Sequence, residues 1–155
     1  MQKIRENLAR LNLTATLIKG DATQPTAWWD KKLFDRILLD APCTASGVIR
    51  RHPEIKILRI PQDLTRAIKL QRELLSALWP LLTPEGILLY ATCSVFTAEN
   101  EENITWLIAQ HADARTIPIT ASWGHTQKYG RQILPGENNM DGFYYAKLRK
   151  ISISF

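Results

Sequence analysis

Three short apolar runs in this sequence end in side chains able to do chemistry. Arg36–Asp40 runs into Ala41-Pro42-Cys43, Gly86–Ala91 into Thr92-Cys93-Ser94, and Ala15–Lys19 into Gly20-Asp21. A thiolate is a strong nucleophile, and its usual pKa of about 8.5 can be lowered by neighbouring groups. A carboxylate next to it can bind a cofactor or hold a substrate. Taken singly these residues say little, since a lone cysteine at a strand end is usually a small buried hydrophobe and a lone aspartate a loop cap. Their shared position is what carries weight. Two cysteines far apart, with no CxxC and no His-rich context, argue against a disulfide framework and against a zinc site, so no metal is expected.

The elements that must position them can be read from the apolar spacing. Residues 3–12 read as the end of a helix, with Ile4, Leu8 and Leu11 on one side. The three runs suit strands buried on both faces of a parallel sheet. Leu64, Ala67, Ile68, Gln71, Leu74, Leu75 and Leu78 form one helical stripe, with Asp63 as N-cap and Pro80, Pro84 and Gly86 beyond its end. A second helix follows Cys93: Thr97 caps it, Glu99, Glu101 and Glu102 suit its dipole, and Ile104, Leu107 and Ile108 form its buried side. Residues 112–140 hold only brief strand-like pieces, and Gly142–Leu148 is a final strand. The alternation predicts an α/β fold with parallel pairing over residues 1–150, followed by a tail, 151–155. Parallel strands put their C-terminal ends on one edge, where open α/β folds build their sites. Asp21, Asp40, Cys43 and Cys93 are therefore expected to converge.

Composition sets the outer limits. A 155-residue chain with 45% hydrophobic and 23% charged residues can bury a core and is not a disordered polymer. No apolar run reaches the roughly 18 to 20 residues a membrane span needs, so no membrane partner is expected and the cytoplasm is the default compartment. The formal charge is +5. Arg50, Arg51, Lys56, Arg59, Arg66, Lys69 and Arg72 face only Glu54 and Asp63 over the same stretch, with His52 beside them. Such a run is either a solvated face or a seat for an anionic partner.

The motifs settle more than the composition does. GDA at Gly20–Ala22, FDRILLDAPCTASGVIRRHPEI at Phe34–Ile55, YATCSVFTAENE at Tyr90–Glu101 and DGFYYAKL at Asp141–Leu148 together resemble the Nol/Nop/Sun family of RNA cytosine-C5 methyltransferases. Within it, the bacterial Sun branch that modifies small-subunit ribosomal RNA is the nearest match. The resemblance implies a Rossmann-like fold that uses S-adenosylmethionine. It implies Cys93 as the nucleophile that adds to C6 of a cytosine, and Cys43 as a residue that helps release the methylated product. Asp40 would contact both cofactor and base, Pro42 would border the cofactor, and Asp21 would bind its adenine end. Arg50, Arg51 and His52 would lie at the rim and meet RNA, where phosphate contacts position a strand without reading its sequence. The chemistry explains the demand for a thiol: addition to C6 makes C5 an enamine carbon able to take a methyl group, which splits one hard step into easier ones.

The sequence also departs from the family pattern. It has seven glycines but no GxG pair, so the family's glycine-rich cofactor loop and first two strands are expected to lie upstream, with the N-terminal half required as a partner. The family's fourth, fifth, seventh and sixth strands would then stand side by side, and the fourth would carry an open hydrophobic edge. The isolated chain is accordingly expected to be inactive. A non-catalytic RNA-binding module derived from such an enzyme is the second reading. A half-domain that docks on another polypeptide is a third, and a DNA substrate is disfavoured by the second cysteine in Thr-Cys-Ser.

Overall fold

The computed structural model describes residues 1–153. Helix α1 (Gln2–Arg10) buries no residue. Strand β1 (Phe34–Asp40) leads through a loop to the short α2 (Ile55–Leu58) and the long α3 (Pro61–Leu78). Strand β2 (Leu82–Thr92), α4 (Glu101–Gln110) and the strands β3 (Ala114–Ile117), β4 (His125–Thr126), β5 (Gly130–Ile133) and β6 (Phe143–Lys150) follow. The sheet order is β1-β2-β6-β5-β4, and β3 pairs with the far half of β6.

Three of the expected strands form. Ala15–Lys19 does not: among the described residues no strand pairs with it, and an extended segment without a ladder is not a strand. Only β1 and β2 are parallel. β6 runs antiparallel to β2 and to β5, because it returns from β5 through a short connection that allows no crossover. The helix starts also differ from expectation. Asp63 is not the N-cap of α3; it sits inside the first turn, where its carboxylate accepts the N–H of Ile60, and Pro61 opens the helix. Thr97 is not the cap of α4 either. Its carbonyl accepts the N–H groups of Asn100 and Glu102 in a turn that precedes the helix. The tail begins tied down, with Ile151 N–H on the carbonyl of Asp113, while residues 154–155 lie outside the described residues.

Helices α3 and α4 cover one face of the sheet. Leu74, Leu75 and Leu78 from α3 and Ile104 and Leu107 from α4 meet Leu39, Leu88, Tyr90, Tyr144, Ala146 and Leu148 from the strands. The other face carries Arg36, Leu38, Leu89, Tyr145 and Lys147 along an open apolar groove that Trp123 and Met140 also border. Alternation along a strand makes this split sharp. Leu39 is 7% exposed and its neighbour Leu38 is 67% exposed. Their edge is unpaired among the described residues, as anticipated for the fourth strand of the family sheet.

Adjacent leucines on opposite faces should respond very differently to truncation. Leu39→Ala is expected to cost about 2–4 kcal/mol and Leu38→Ala less than about 0.5 kcal/mol, both read from urea unfolding of the chain.

Candidate active site

The site is built where β1 and β2 end. Their register sets Asp40 opposite Ala91, and the ladder continues into the loop, where Ala41 N–H donates to Ala91 O at 2.9 Å. The two cysteine loops thus leave the sheet at one level. The Cys43 loop turns sharply at Ala45, whose φ of 61° lies in the left-handed region that alanine enters at a cost of roughly 1 kcal/mol. It then meets the residue that leads into β6. Gly47 N–H donates to Cys93 O at 2.9 Å and Gly47 O accepts from Gly142 N–H at 2.8 Å, so one glycine straps the two cysteine loops and the start of β6 together. A Cβ at Gly47 would overlap the carbonyl of Gly142.

In this arrangement Cys43 Sγ and Cys93 Sγ lie 3.3 Å apart, both half-buried. The contact makes them unlike. The Cys43 thiol donates to the Cys93 sulfur, which is the chief reason the Cys93 pKa falls from 9.0 to about 7; the backbone N–H of Cys93 adds to this, against burial and the charges of Asp40 and Glu99. Cys43 moves well upward, first because its proton is held by Cys93 and then because it is buried. One sulfur is set up as a thiolate near neutral pH and the other as its proton-bearing neighbour.

The remaining expected residues are placed as follows. Asp40 stands exposed at the end of β1, with its charge felt by Cys93 and by Tyr145 on the open face. Pro42 is exposed between them, and its carbonyl accepts from Gln71 Nε2 at 2.9 Å. Asp21 is not drawn into this cluster by any hydrogen bond. Its carboxylate accepts from the N–H and hydroxyl of Thr23, which hold its pKa below the usual range, and its carbonyl accepts from Trp28 Nε1. Arg50 and Arg51 are exposed and reach toward one loop: Arg50 donates to Met140 O and to Asn139 Oδ1, and Arg51 pairs with Asp141. His52 faces Glu54 at the surface.

The residue that sequence reasoning missed is Glu99. Among Glu99, Glu101 and Glu102 it reads as one more acid for a helix dipole, yet it precedes α4 and is 0% exposed. Its oxygens accept from Thr44 N–H, Thr44 Oγ1, Gln71 Nε2 and Ser94 Oγ. Around it Tyr90 OH and Asn103 Nδ2 donate to its carbonyl, and Thr92, Asn100 and Gln132 carry the network on to Ser94 O. No buried side-chain polar atom among the described residues lacks a partner. Among those residues no group of three His, Cys, Asp or Glu could hold a metal, and no helix is long and apolar enough to cross a membrane.

Comparison with known proteins gives this geometry a context. The family model described as 16S rRNA methyltransferase RsmB/F matches residues 1–149. Ribosomal RNA small subunit methyltransferase B of Pseudomonas putida is 52% identical over 99% of the chain, and that of Pasteurella multocida 53% identical over 97%. The chain spans 35% of the length of each. Among solved structures, NSun6 from Pyrococcus horikoshii superposes with a TM-score of 0.86 at 29% identity, covering 98% of this chain and 39% of that one. A methyltransferase homologue from the same organism gives 0.81 at 30% identity, covering 97% and 50%.

Two outcomes test the geometry. Cys93 should alkylate with iodoacetamide at a midpoint near pH 7, rising toward 9.0 in Cys43→Ala, because the variant loses the hydrogen bond that favours the thiolate. Gly47→Ala should cost about 1–3 kcal/mol through the clash with the Gly142 carbonyl, seen as a lower melting temperature.

Proposed function

Since this chain belongs to the 16S rRNA methyltransferase RsmB/F family, we propose that it supplies the two-cysteine catalytic edge of an enzyme that methylates C5 of a cytosine in small-subunit ribosomal RNA. The observation that carries the proposal is the 3.3 Å contact between Cys43 and Cys93 at the ends of adjacent parallel strands. The names of the curated relatives support ribosomal RNA as the substrate.

In this reading Cys93, with its lowered pKa, adds to C6 of a cytosine turned out of its stack. The ring gains a nucleophilic C5. S-adenosylmethionine, when bound, supplies an electrophilic methyl group. The donor set is suited to that cofactor in part: Asp21 and Asp40 are exposed acceptors after the third apolar run and at the end of β1, and Pro42 offers an apolar surface between Asp40 and the thiols. Asp21 would take the adenine end, and Asp40 would face both the methyl donor and the base. After transfer, a water would take the C5 proton, the C5–H electron pair would restore the C5–C6 double bond, and the Cys93–C6 bond would break with its pair returning to sulfur. Cys43, whose proton lies against that sulfur, would assist the release. Arg50, Arg51 and His52 form the rim toward the RNA, although both arginines are also ties to the 139–141 loop, so losing them would disturb the loop as well as any phosphate contact.

The test is a graft. This chain would replace the matching segment of the Pseudomonas putida relative, and methyl transfer to small-subunit ribosomal RNA would be followed with labelled S-adenosylmethionine. Cys93→Ala should reduce transfer at least about 10³-fold, as removal of a covalent nucleophile does. Cys43→Ala should instead leave protein and RNA covalently joined on a denaturing gel. The 155-residue chain by itself should transfer no methyl group. Salt-sensitive RNA binding by the graft with no transfer at all would point to the non-catalytic RNA-binding module.

A further inference from the structure

One fully buried ionisable side chain has no part in the steps above. Glu99 receives four donors on two oxygens, which fills the lone pairs of a carboxylate. Thr44 N–H and Gln71 Nε2 lie 2.9 and 3.0 Å from Oε1; Thr44 Oγ1 and Ser94 Oγ lie 2.6 and 2.5 Å from Oε2. Thr44 directly follows Cys43, and Ser94 directly follows Cys93. A single carboxylate therefore grips the next residue after each thiol. Arg59 Nε holds Thr44 O at 2.9 Å and Gln71 Nε2 holds Pro42 O, which closes the cage on the Cys43 side. No Lys, Arg or His forms an ion pair with Glu99 among the described residues. Burying such a group is a poor way to add stability, since apolar residues of the same volume usually serve as well or better. What the carboxylate adds is a fixed distance between two loops that come from strands far apart in sequence.

We infer that Glu99 is a positioning residue for methyl transfer, bridging the two cysteine loops so that the Cys43 thiol stays hydrogen-bonded to the Cys93 sulfur. The inference rests on the proposed function for its purpose, but its geometry and its test do not. The groups that face the thiol pair are Asp40 from the end of β1, Glu99 itself, and the hydroxyl of Tyr90 from β2. Glu99→Ala removes the bridge. Glu99→Gln keeps it, because the hydroxyls of Thr44 and Ser94 can turn to accept from the new amide while its oxygen still faces Thr44 N–H and Gln71.

The experiment is iodoacetamide alkylation of Cys93 in the full chain across a pH series, read by mass spectrometry of its peptide, with no RNA or cofactor present. Glu99→Ala should move the midpoint from about 7 toward 9.0, and Glu99→Gln should leave it near 7 or slightly lower, since it keeps the bridge but removes the charge that disfavours the thiolate. In a Cys43→Ala background the rise should vanish, leaving only the slight fall that losing the Glu99 charge brings, because the rise acts through the thiol contact. An unchanged midpoint in Glu99→Ala, an equal shift with and without Cys43, or a Gln variant that behaves like Ala would each overturn the proposal. Should Glu99→Ala fail to fold by circular dichroism, Thr44→Val removes one strut only. It should give a smaller rise of the same sign that again depends on Cys43, and no rise would be equally fatal. Because alkylation needs no substrate, a graft inactive in methyl transfer would leave this result standing, and the reverse also holds.

Discussion

Parallel pairing between β1 and β2 is the constraint from which the rest of the site follows. Two strands that run the same way must deliver their C-terminal ends to the same side, and the register of Asp40 on Ala91 fixes how far each loop has travelled when it leaves. Cysteines fifty residues apart in sequence then need only a short loop each to touch. An antiparallel pair would send them to opposite ends of the sheet. The crossover that parallel pairing demands is supplied by α3, whose Leu74, Leu75 and Leu78 seal the side of the sheet below the thiols. Packing and chemistry therefore share a cause. The helix that makes the connection possible also provides Gln71, which reaches from the core to Pro42 and Glu99.

Beneath the thiols the protein has a polar layer in place of apolar packing. Thr44, Ser46, Gln71, Thr92, Ser94, Glu99, Asn100, Asn103 and Gln132 are all buried. A buried donor or acceptor left without a partner costs about 1–3 kcal/mol, so a layer of this size is tolerable only when complete. Here it is complete among the described residues. Such a layer is directional in a way that leucines are not. Each side chain accepts one arrangement of its neighbours, and the loops it supports inherit that single arrangement.

The sequence disclosed the thiols and hid what holds them. Cys43 and Cys93 were legible because each ends an apolar run, and the strand-edge rule needs only the run and the residue after it. The α3 stripe was legible for the same local reason. Ala15–Lys19 had the right composition, but strand formation depends on a partner that composition cannot supply. The direction of β6 depends on how the chain comes back to the sheet, and Gly142–Leu148 carries no mark of that. Glu99 is the clearest case. Beside Glu101 and Glu102 it has the look of a solvated acid, and only the distant positions of Thr44 and Gln71 make it a core residue. Long-range hydrogen bonding leaves no periodicity to read. Asp21 could be placed at the end of a run, but its local turn with Thr23 was set by the next two residues and not by the sheet.

The glycine strap has a bearing on how the molecule comes into being. Gly47 is fixed by Gly142, just before β6, so the loop bearing Cys43 is completed by a segment about 95 residues further along the chain. Closing such a long loop carries an entropic cost that local contacts do not offset until the strand docks. A nascent chain can build α3 and pair β1 with β2 while its reactive edge is still unfinished. The edge that carries the nucleophile is complete only once β6 has docked.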